Sequence, residues 1–275
     1  MFRTITSLIF LLLISQALEA QLFTLPDTPG DDDKEENDTI NQYNEEGERT
    51  GYWRDMFPNG QKRYEGNFED GEPVGTFTYY FPEGRIRAEL IHLPEEEPVQ
   101  ATFYHRSGDV MGEGQYIDQK KHGLWRLFTE TGHLVKKNYY HEGEKHGVWK
   151  TFYRTGELKE IVTYHYGEKK GEWKQYFENG NKRVDAYYEN DKLNGKYEVY
   201  NSNGRKVIEG YYYDNLPHKK WTHVADNGEI EKIVVYEKGE KIQEDVYIES
   251  EELFEDRDDG RPFEDPYEDI FEDIF

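Results

Sequence analysis

Eight glycines stand 24 residues apart, at Gly60, Gly84, Gly108, Gly132, Gly156, Gly180, Gly204 and Gly228, with no insertion between them. Glycine fills ~7% of an average chain, so eight in register mark an internal repeat. Turn formers precede them, as in Pro58-Asn59-Gly60 and Glu178-Asn179-Gly180. A glycine closing such a turn supplies the positive φ of a tight hairpin without steric cost. The units begin nine residues earlier, at Gly51, Gly75, Val99, Gly123, Gly147, Gly171, Gly195 and Lys219. A second turn signal closes many of them, as in Glu142-Gly143 and Tyr166-Gly167. Each unit therefore reads as strand, turn, strand, turn.

Two residues into the units stand Trp53, Phe77, Ala101, Trp125, Trp149, Trp173, Tyr197 and Trp221; seventeen residues in stand Phe68, His92, Tyr116, Tyr140, Tyr164, Tyr188, Tyr212 and Tyr236. Stacked hairpins would align these as two aromatic ladders, each cross-strand pair stabilising the sheet by ~0.2–1 kcal/mol. Composition agrees: aromatics form 16% of a chain only 35% hydrophobic, which favours ring ladders over a deep aliphatic core. The expected fold is all-β, an elongated antiparallel meander of about sixteen strands extending ~75 Å at ~4.8 Å per strand. The first strand of each unit does not alternate cleanly, because bulky residues recur two and five positions in, as in Trp149 with Phe152. A bulge or a twist would reconcile the spacing, and the sequence leaves open which. The third unit is the weakest, with Val99 for the opening glycine, Ala101 for the ring and Pro94-Glu95-Glu96-Glu97-Pro98 before it. A break or bend between the first two units and the rest is expected there.

Gly-Val-Trp-Lys-Thr-Phe-Tyr-Arg-Thr-Gly-Glu-Leu-Lys (147–159) and Gly-Glu-Trp-Lys-Gln-Tyr-Phe-Glu-Asn-Gly-Asn-Lys-Arg (171–183) resemble the MORN family, specifically the variant repeats of the bacterial YwqK-like family. The likeness runs over roughly 51–242. It implies an open sheet of hairpins and two kinds of role: a toxin-neutralising antitoxin component, the label that family often carries, or a scaffold or membrane-associated module.

The ends differ from the repeats. Arg3, the apolar run Leu8–Ile14 and small residues up to Ala20 follow the order of a secretory signal peptide, so residues 1–20 are expected to direct export and be removed. Seven unbroken apolar residues are too few for a membrane span, which needs ~20. No integral span is expected after cleavage, and a secreted or periplasmic location follows. The chain has no cysteine, so neither disulfides nor lipid attachment at a cysteine can assist it. Residues 27–50 hold 10 acidic and 2 basic side chains, residues 249–275 hold 13 and 2, and these flanks carry most of the net charge of −24. Such runs repel and bury little, so 21–50 and 249–275 are expected to be disordered acidic flanks around a repeat region at 51–248. Nucleic acid, which needs a basic footprint, is not an expected partner.

Nothing in the motifs reads as catalysis. There is no cysteine nucleophile and no Gly-x-Ser-x-Gly elbow, and a repeated sheet offers no closed pocket. Neither an enzyme nor a cofactor is expected. His122, His146 and His218 recur just before unit boundaries. Equivalent residues of adjoining hairpins lie ~10 Å apart, too far for one zinc, so no metal site is expected. The aspartate runs lack the ligand spacing of a calcium loop. Lys121, Lys145, Lys169, Lys170, Lys219 and Lys220 repeat at boundary turns, where solvation of the turns and protection of sheet edges account for them better than an anion-binding edge.

Binding is the expected use of such an array. The candidate surface is the ladder at Trp125, Trp149, Trp173, Tyr140, Tyr164 and Tyr188, and the expected partner is a protein. A glycan or peptidoglycan strand and a neutralised toxin are the alternatives. The end of the acidic tail alternates Phe263, Tyr267, Phe271 and Phe275 with carboxylates. Plain solvating tails seldom carry so many bulky groups, and this reads as a short motif for a basic, apolar groove.

Overall fold

The computed structural model describes residues 40–93 and 98–248. They form one open antiparallel meander of twenty strands, all-β as expected, with outgoing and return strands hydrogen-bonded in sequence order and no pairing that joins the first strand to the last. The excess over sixteen has two sources. Two outgoing strands are interrupted one residue before the opening glycine, giving Glu144–Lys145 with Gly147–Phe152 and Lys192–Leu193 with Gly195–Tyr200. A further strand lies at each end, Gln42–Tyr43 before the first unit and Glu240–Val246 after the last return strand.

Part of the stretch read as a disordered linker is therefore folded. Gln42 pairs with Thr50 and Tyr43 with Arg49, and the Trp53 indole donates to the Gln42 carbonyl at 3.1 Å, so these residues cap the first ring of the array. The signal at 1–20, the acidic stretch up to residue 39 and the tail from 249 lie outside the described residues, as does the tail motif Phe263, Tyr267, Phe271 and Phe275. Among the described residues no helix is long and apolar enough to cross a membrane.

Both turns follow from their residues. All eight repeat glycines have positive φ, from +76° at Gly132 to +101° at Gly108. In the first unit Phe57 N–H donates to Gln61 O at 2.7 Å and Gly60 N–H to Phe57 O at 2.9 Å, closing the hairpin with a bulge at the glycine. The second turn is a two-residue loop with both φ positive, +46° at Asp70 and +82° at Gly71, whose hand suits the strand twist. Its second residue also reaches the preceding hairpin: Gly71 N–H donates to Arg49 O at 3.0 Å and Gly167 N–H to Lys145 O at 2.8 Å, clasping successive turns together.

The uneven first strand is a bulge. Between Asn67↔Val74 and Glu65↔Thr78 the pairing slips by two residues, centred on Gly75 at φ +68°. Gly123 at +66° and Gly171 at +119° occupy the same place. Past the slip the strand alternates regularly, so the residue two positions in faces one side of the sheet and the residue five positions in faces the other, and the second register shift leaves its extra residue on the return strand. Lys219 adopts +61° despite its side chain. Val99 does not turn left-handed, because a β-branched side chain strongly resists that conformation, and there the pairing runs without a shift.

No break follows the second unit. Leu90 pairs with Ala101 and Ala88 with Phe103, and one apolar cluster runs from Trp53 through both to Val135. The compensation is local. Fifteen residues into the neighbouring units stand Gly66 and Gly114, on which the next rings lie flat: a Cβ on Gly66 would come 2.5 Å from the Phe77 ring, and one on Gly114 2.2 Å from Trp125. In the second unit that place is Leu90, and Ala101 opposite is small enough to receive it. The core does divide, but farther on, since a second cluster begins at Val162 and ends at Val234.

If Trp125 is seated on Gly114, Gly114→Ala should cost ~1–3 kcal/mol by overpacking, and nearly nothing in a Trp125→Ala background. Gly132→Ala, which meets nothing within 4 Å but must hold φ +76°, should cost about 1–2 kcal/mol in both backgrounds. Urea unfolding of the four Gly114/Trp125 combinations reads the coupling, and equal Gly114→Ala losses in both backgrounds would exclude the seating.

Candidate functional site

The six expected site rings lie on one face, but not as two ladders. Adjacent strands put the residue two positions into a unit diagonally beside that seventeen positions in, so the two series interleave into a single row. Ring centroids step from Trp125 to Tyr140 at 6.4 Å, to Trp149 at 5.1 Å and to Tyr164 at 4.9 Å, and from Trp173 to Tyr188 at 5.4 Å. Trp125 and Trp173 are each 1% exposed and Tyr188 is buried, whereas Tyr140, Trp149 and Tyr164 are only partly covered.

Lysines border this row. The Lys121 ammonium lies 5.5 Å from the Trp125 ring and 5.3 Å from Tyr140; Lys145 lies 5.0 Å from Trp149 and 5.4 Å from Tyr164; Lys169 lies 5.2 Å from Tyr188. These are cation–π distances, so the boundary lysines do more than solvate turns. They form a positive margin along the rings of the central units.

On the other side of the rings runs a polar row that the sequence reading missed. Lys136 pairs with Thr151, Thr151 with Glu160, and Glu160 with Gln175, each directly across the ladder. Lys136, Gln175 and the adjoining Arg183 are all buried. The Glu160 carboxylate accepts from the Trp173 indole at 2.8 Å and from the Gln175 amide at 2.9 Å, and Arg183 donates to the Gln175 carbonyl oxygen at 2.6 Å. Burial lowers the Lys159 pKa against the pull of Glu160, and the positive charges of Arg183 and Lys136 push the same way as burial. Trp173 thus departs from Trp125, Trp149 and Trp221, whose indoles donate to backbone carbonyls at 3.1, 2.8 and 3.2 Å. A column of the repeat carries the missed signal: thirteen residues into the eight units stand Tyr64, Ala88, Gly112, Lys136, Glu160, Val184, Ile208 and Lys232, small or apolar except at the central Lys136 and Glu160 and at the last unit.

Histidines also come together at the hairpin edge. His122, His141, His146 and His165 follow one another with centroids 5.5, 5.7 and 5.6 Å apart. The ~10 Å separation considered only equivalent residues, and return-strand histidines fill the interval. Among the described residues no three histidine or acidic side chains group as ligands of one metal ion.

The opposite face carries ion-pair clusters. Glu65 accepts from Lys62 Nζ at 2.6 Å, from the Tyr80 hydroxyl at 2.5 Å and from Tyr52. Burial works to raise the Glu65 pKa, but these bonds outweigh it and hold it at about 2. Glu198 is likewise held at about 2, against burial, by Lys196, Lys206 and Tyr200. Both folded values lie below the unfolded one, near ~4.3, so their stabilisation is present above that pH and is lost as pH falls toward 2. Glu65→Gln with Glu198→Gln should flatten the acid limb of the stability profile, measured by urea unfolding between those limits; an unchanged slope would contradict the assignment.

Ring burial gives a second expectation. Trp173→Ala should cost ~3–5 kcal/mol and Trp149→Ala, whose ring is half-covered, ~1–3 kcal/mol, read from denaturation midpoints.

Residues 121–142, 145–166 and 169–191 match the family described as MORN repeat variant. No curated protein matches the chain. Similar solved structures include the crystal structure of TcdB2-TccC3-Cdc42, 13% identical over 68% of this chain and 12% of that one, with a TM-score of 0.18. The crystal structure of TcdB2-TccC3 is 14% identical over 70% of this chain and 13% of that one, again with a TM-score of 0.18. The chain thus spans 12–13% of the length of those chains, and at this TM-score the likeness supports no conclusion about fold or function. The lysine-bordered rings and the polar row fall within the matched stretches, so residues 121–191 are MORN repeat variant repeats, and the chain is a MORN repeat protein built of β-hairpins in one antiparallel sheet.

Proposed function

We propose that the chain is a non-enzymatic, exported repeat scaffold that binds a protein partner through the central units, at or outside the cell envelope. The observation that carries this reading is the row of rings from Trp125 to Tyr188, partly open at Tyr140, Trp149 and Tyr164, with Lys121, Lys145 and Lys169 along its margin. Aromatic faces supply apolar area, and the flanking cations select acidic partners and steer their approach. An extended acidic segment with bulky side chains fits such a surface, since rings take the apolar groups and the margins take the carboxylates. A toxin-neutralising role, which the family resemblance implies, would be one form of this binding.

A glycan is the second reading, favoured by the opposite face, where Tyr139, Tyr187 and Tyr211 are 45%, 43% and 36% exposed at equivalent places in their units. Flat exposed rings suit sugar faces and need no flanking charge.

Immobilised protein carrying Lys121→Ala, Lys145→Ala and Lys169→Ala should lose a protein that the unaltered chain retains from an envelope extract, while co-sedimentation with insoluble peptidoglycan stays at background for both. Retention undiminished by these substitutions would overturn the proposed face. Peptidoglycan binding abolished by Tyr187→Ala with Tyr211→Ala would establish the glycan reading instead.

A further inference from the structure

Asparagine followed by glycine is a dipeptide in which a protein chain readily attacks itself. Glycine has no Cβ to obstruct the approach of its nitrogen to the preceding side chain, and its backbone takes the dihedral angles that ring closure needs. Five such pairs stand among the described residues: Asn59-Gly60, Asn179-Gly180, Asn203-Gly204 and Asn227-Gly228 at hairpin turns, and Asn194-Gly195 inside the sheet. The four turn asparagines are all exposed, and each following glycine donates its N–H to the carbonyl three residues back, at 2.9, 2.9, 2.8 and 2.9 Å. Neither property separates them, but their side chains do.

Three of the four are fastened at both ends of the carboxamide. Asn59 donates to Pro82 O in the next turn at 2.8 Å and accepts from Gln61 N–H at 3.1 Å. Asn179 donates to Ser202 O at 2.8 Å and accepts from Asn181 N–H at 3.0 Å. Asn227 donates to Glu229 Oε2 and accepts from Glu229 N–H, both at 2.9 Å. At Asn203 the equivalent partners are taken. Asn201 stands where those three turns have Phe57, Phe177 and Ala225, and its Oδ1 accepts from Arg205 N–H at 3.0 Å and from Asn203 N–H at 3.2 Å. The Arg205 guanidinium donates to Asp226 O, the carbonyl that corresponds to Pro82 O and Ser202 O. The Asn203 carboxamide is left with no hydrogen bond among the described residues.

We infer that Asn203 is a site of spontaneous deamidation, converted while the other Asn-Gly pairs persist. The step needs only water. Gly204 N gives up its proton and bonds to Asn203 Cγ; the Cγ–Nδ2 bond breaks, and ammonia leaves with that proton, closing a succinimide. Water then opens the ring at Cγ, giving aspartate, or at the Asn203 main-chain carbonyl carbon, giving isoaspartate with the main chain routed through the side chain. Either product adds a negative charge to the turn of the seventh unit, and isoaspartate also lengthens its main chain by a methylene. Asn194-Gly195 is restrained differently. Asn194 N–H donates to Tyr187 O at 3.0 Å and Gly195 is paired with Tyr212, so a strand on each side holds the main chain that would have to swing.

Incubation of the folded full chain in mildly alkaline water enriched in heavy oxygen, then proteolysis and peptide mass spectrometry, reads each pair separately, because every ring opened during incubation carries the label. Asn203 should convert about tenfold or more faster than Asn59, Asn179, Asn194 and Asn227, the protection that two ordinary hydrogen bonds confer. Its products should be a mixture of aspartate and isoaspartate. In the urea-unfolded chain the five rates should converge. Asn201→Ala reproduces the turn at Ala225 and returns the Arg205 N–H to Asn203, so conversion there should slow toward the Asn227 rate while the other pairs are unchanged. Equal rates in the folded chain, a faster pair elsewhere, no label at Asn203, a lead for Asn203 that survives unfolding, or a rate untouched by Asn201→Ala would overturn the inference.

Discussion

The arrangement of the ring face depends on a left-handed backbone at the residue that opens seven of the eight units. At Gly51, Gly75 and Gly147 φ is +68°, a conformation open to glycine and costly for a side chain. There the outgoing strand slips two residues against the preceding return strand, and the slip sets the next ring over Gly66, Gly114 or Gly210. Without it the strand pairs regularly and the place two residues in cannot hold a large ring. The third unit demonstrates the alternative, for Val99 keeps the strand regular and the packing is met by Leu90 against Ala101.

Much of this was legible because hairpin chemistry is local. The turn glycines, the repeat length and the interrupted alternation are statements about φ and strand parity, and a sequence states both. The reading of Ala101 as a weak point failed because its partner is eleven residues back on another strand, where Leu90 replaces a glycine. Single positions conceal such exchanges; a column of equivalent positions reveals them. The same holds for the site. The rings were found as residue types, but their merging into one row needs the diagonal geometry of adjoining strands. The polar row from Lys136 to Gln175 needs the knowledge that thirteen residues into a unit is a core position.

That polar row has an energetic role of its own. Buried ionic and amide groups stabilise little in net terms, and their desolvation often cancels their attraction. Here they interrupt what would be one apolar cluster and leave two, Trp53 to Val135 and Val162 to Val234. The half-covered Trp149 lies at this join, within the same units whose lysines border the rings. The cations of these units thus stand beside the rings in a chain whose net charge is −24.

The clasp between successive second turns, Gly71 to Arg49 and Gly167 to Lys145, fixes how such a protein can change its length. Strand parity sends every side chain to the wrong face after a single inserted residue, and the clasp would then join a turn to nothing. One whole hairpin unit of 24 residues, added or removed, restores both at once. The gene can therefore grow or shrink only in steps of one unit, while substitutions within a unit, as at Val99 and Leu90, accumulate freely so long as the neighbouring hairpin answers them.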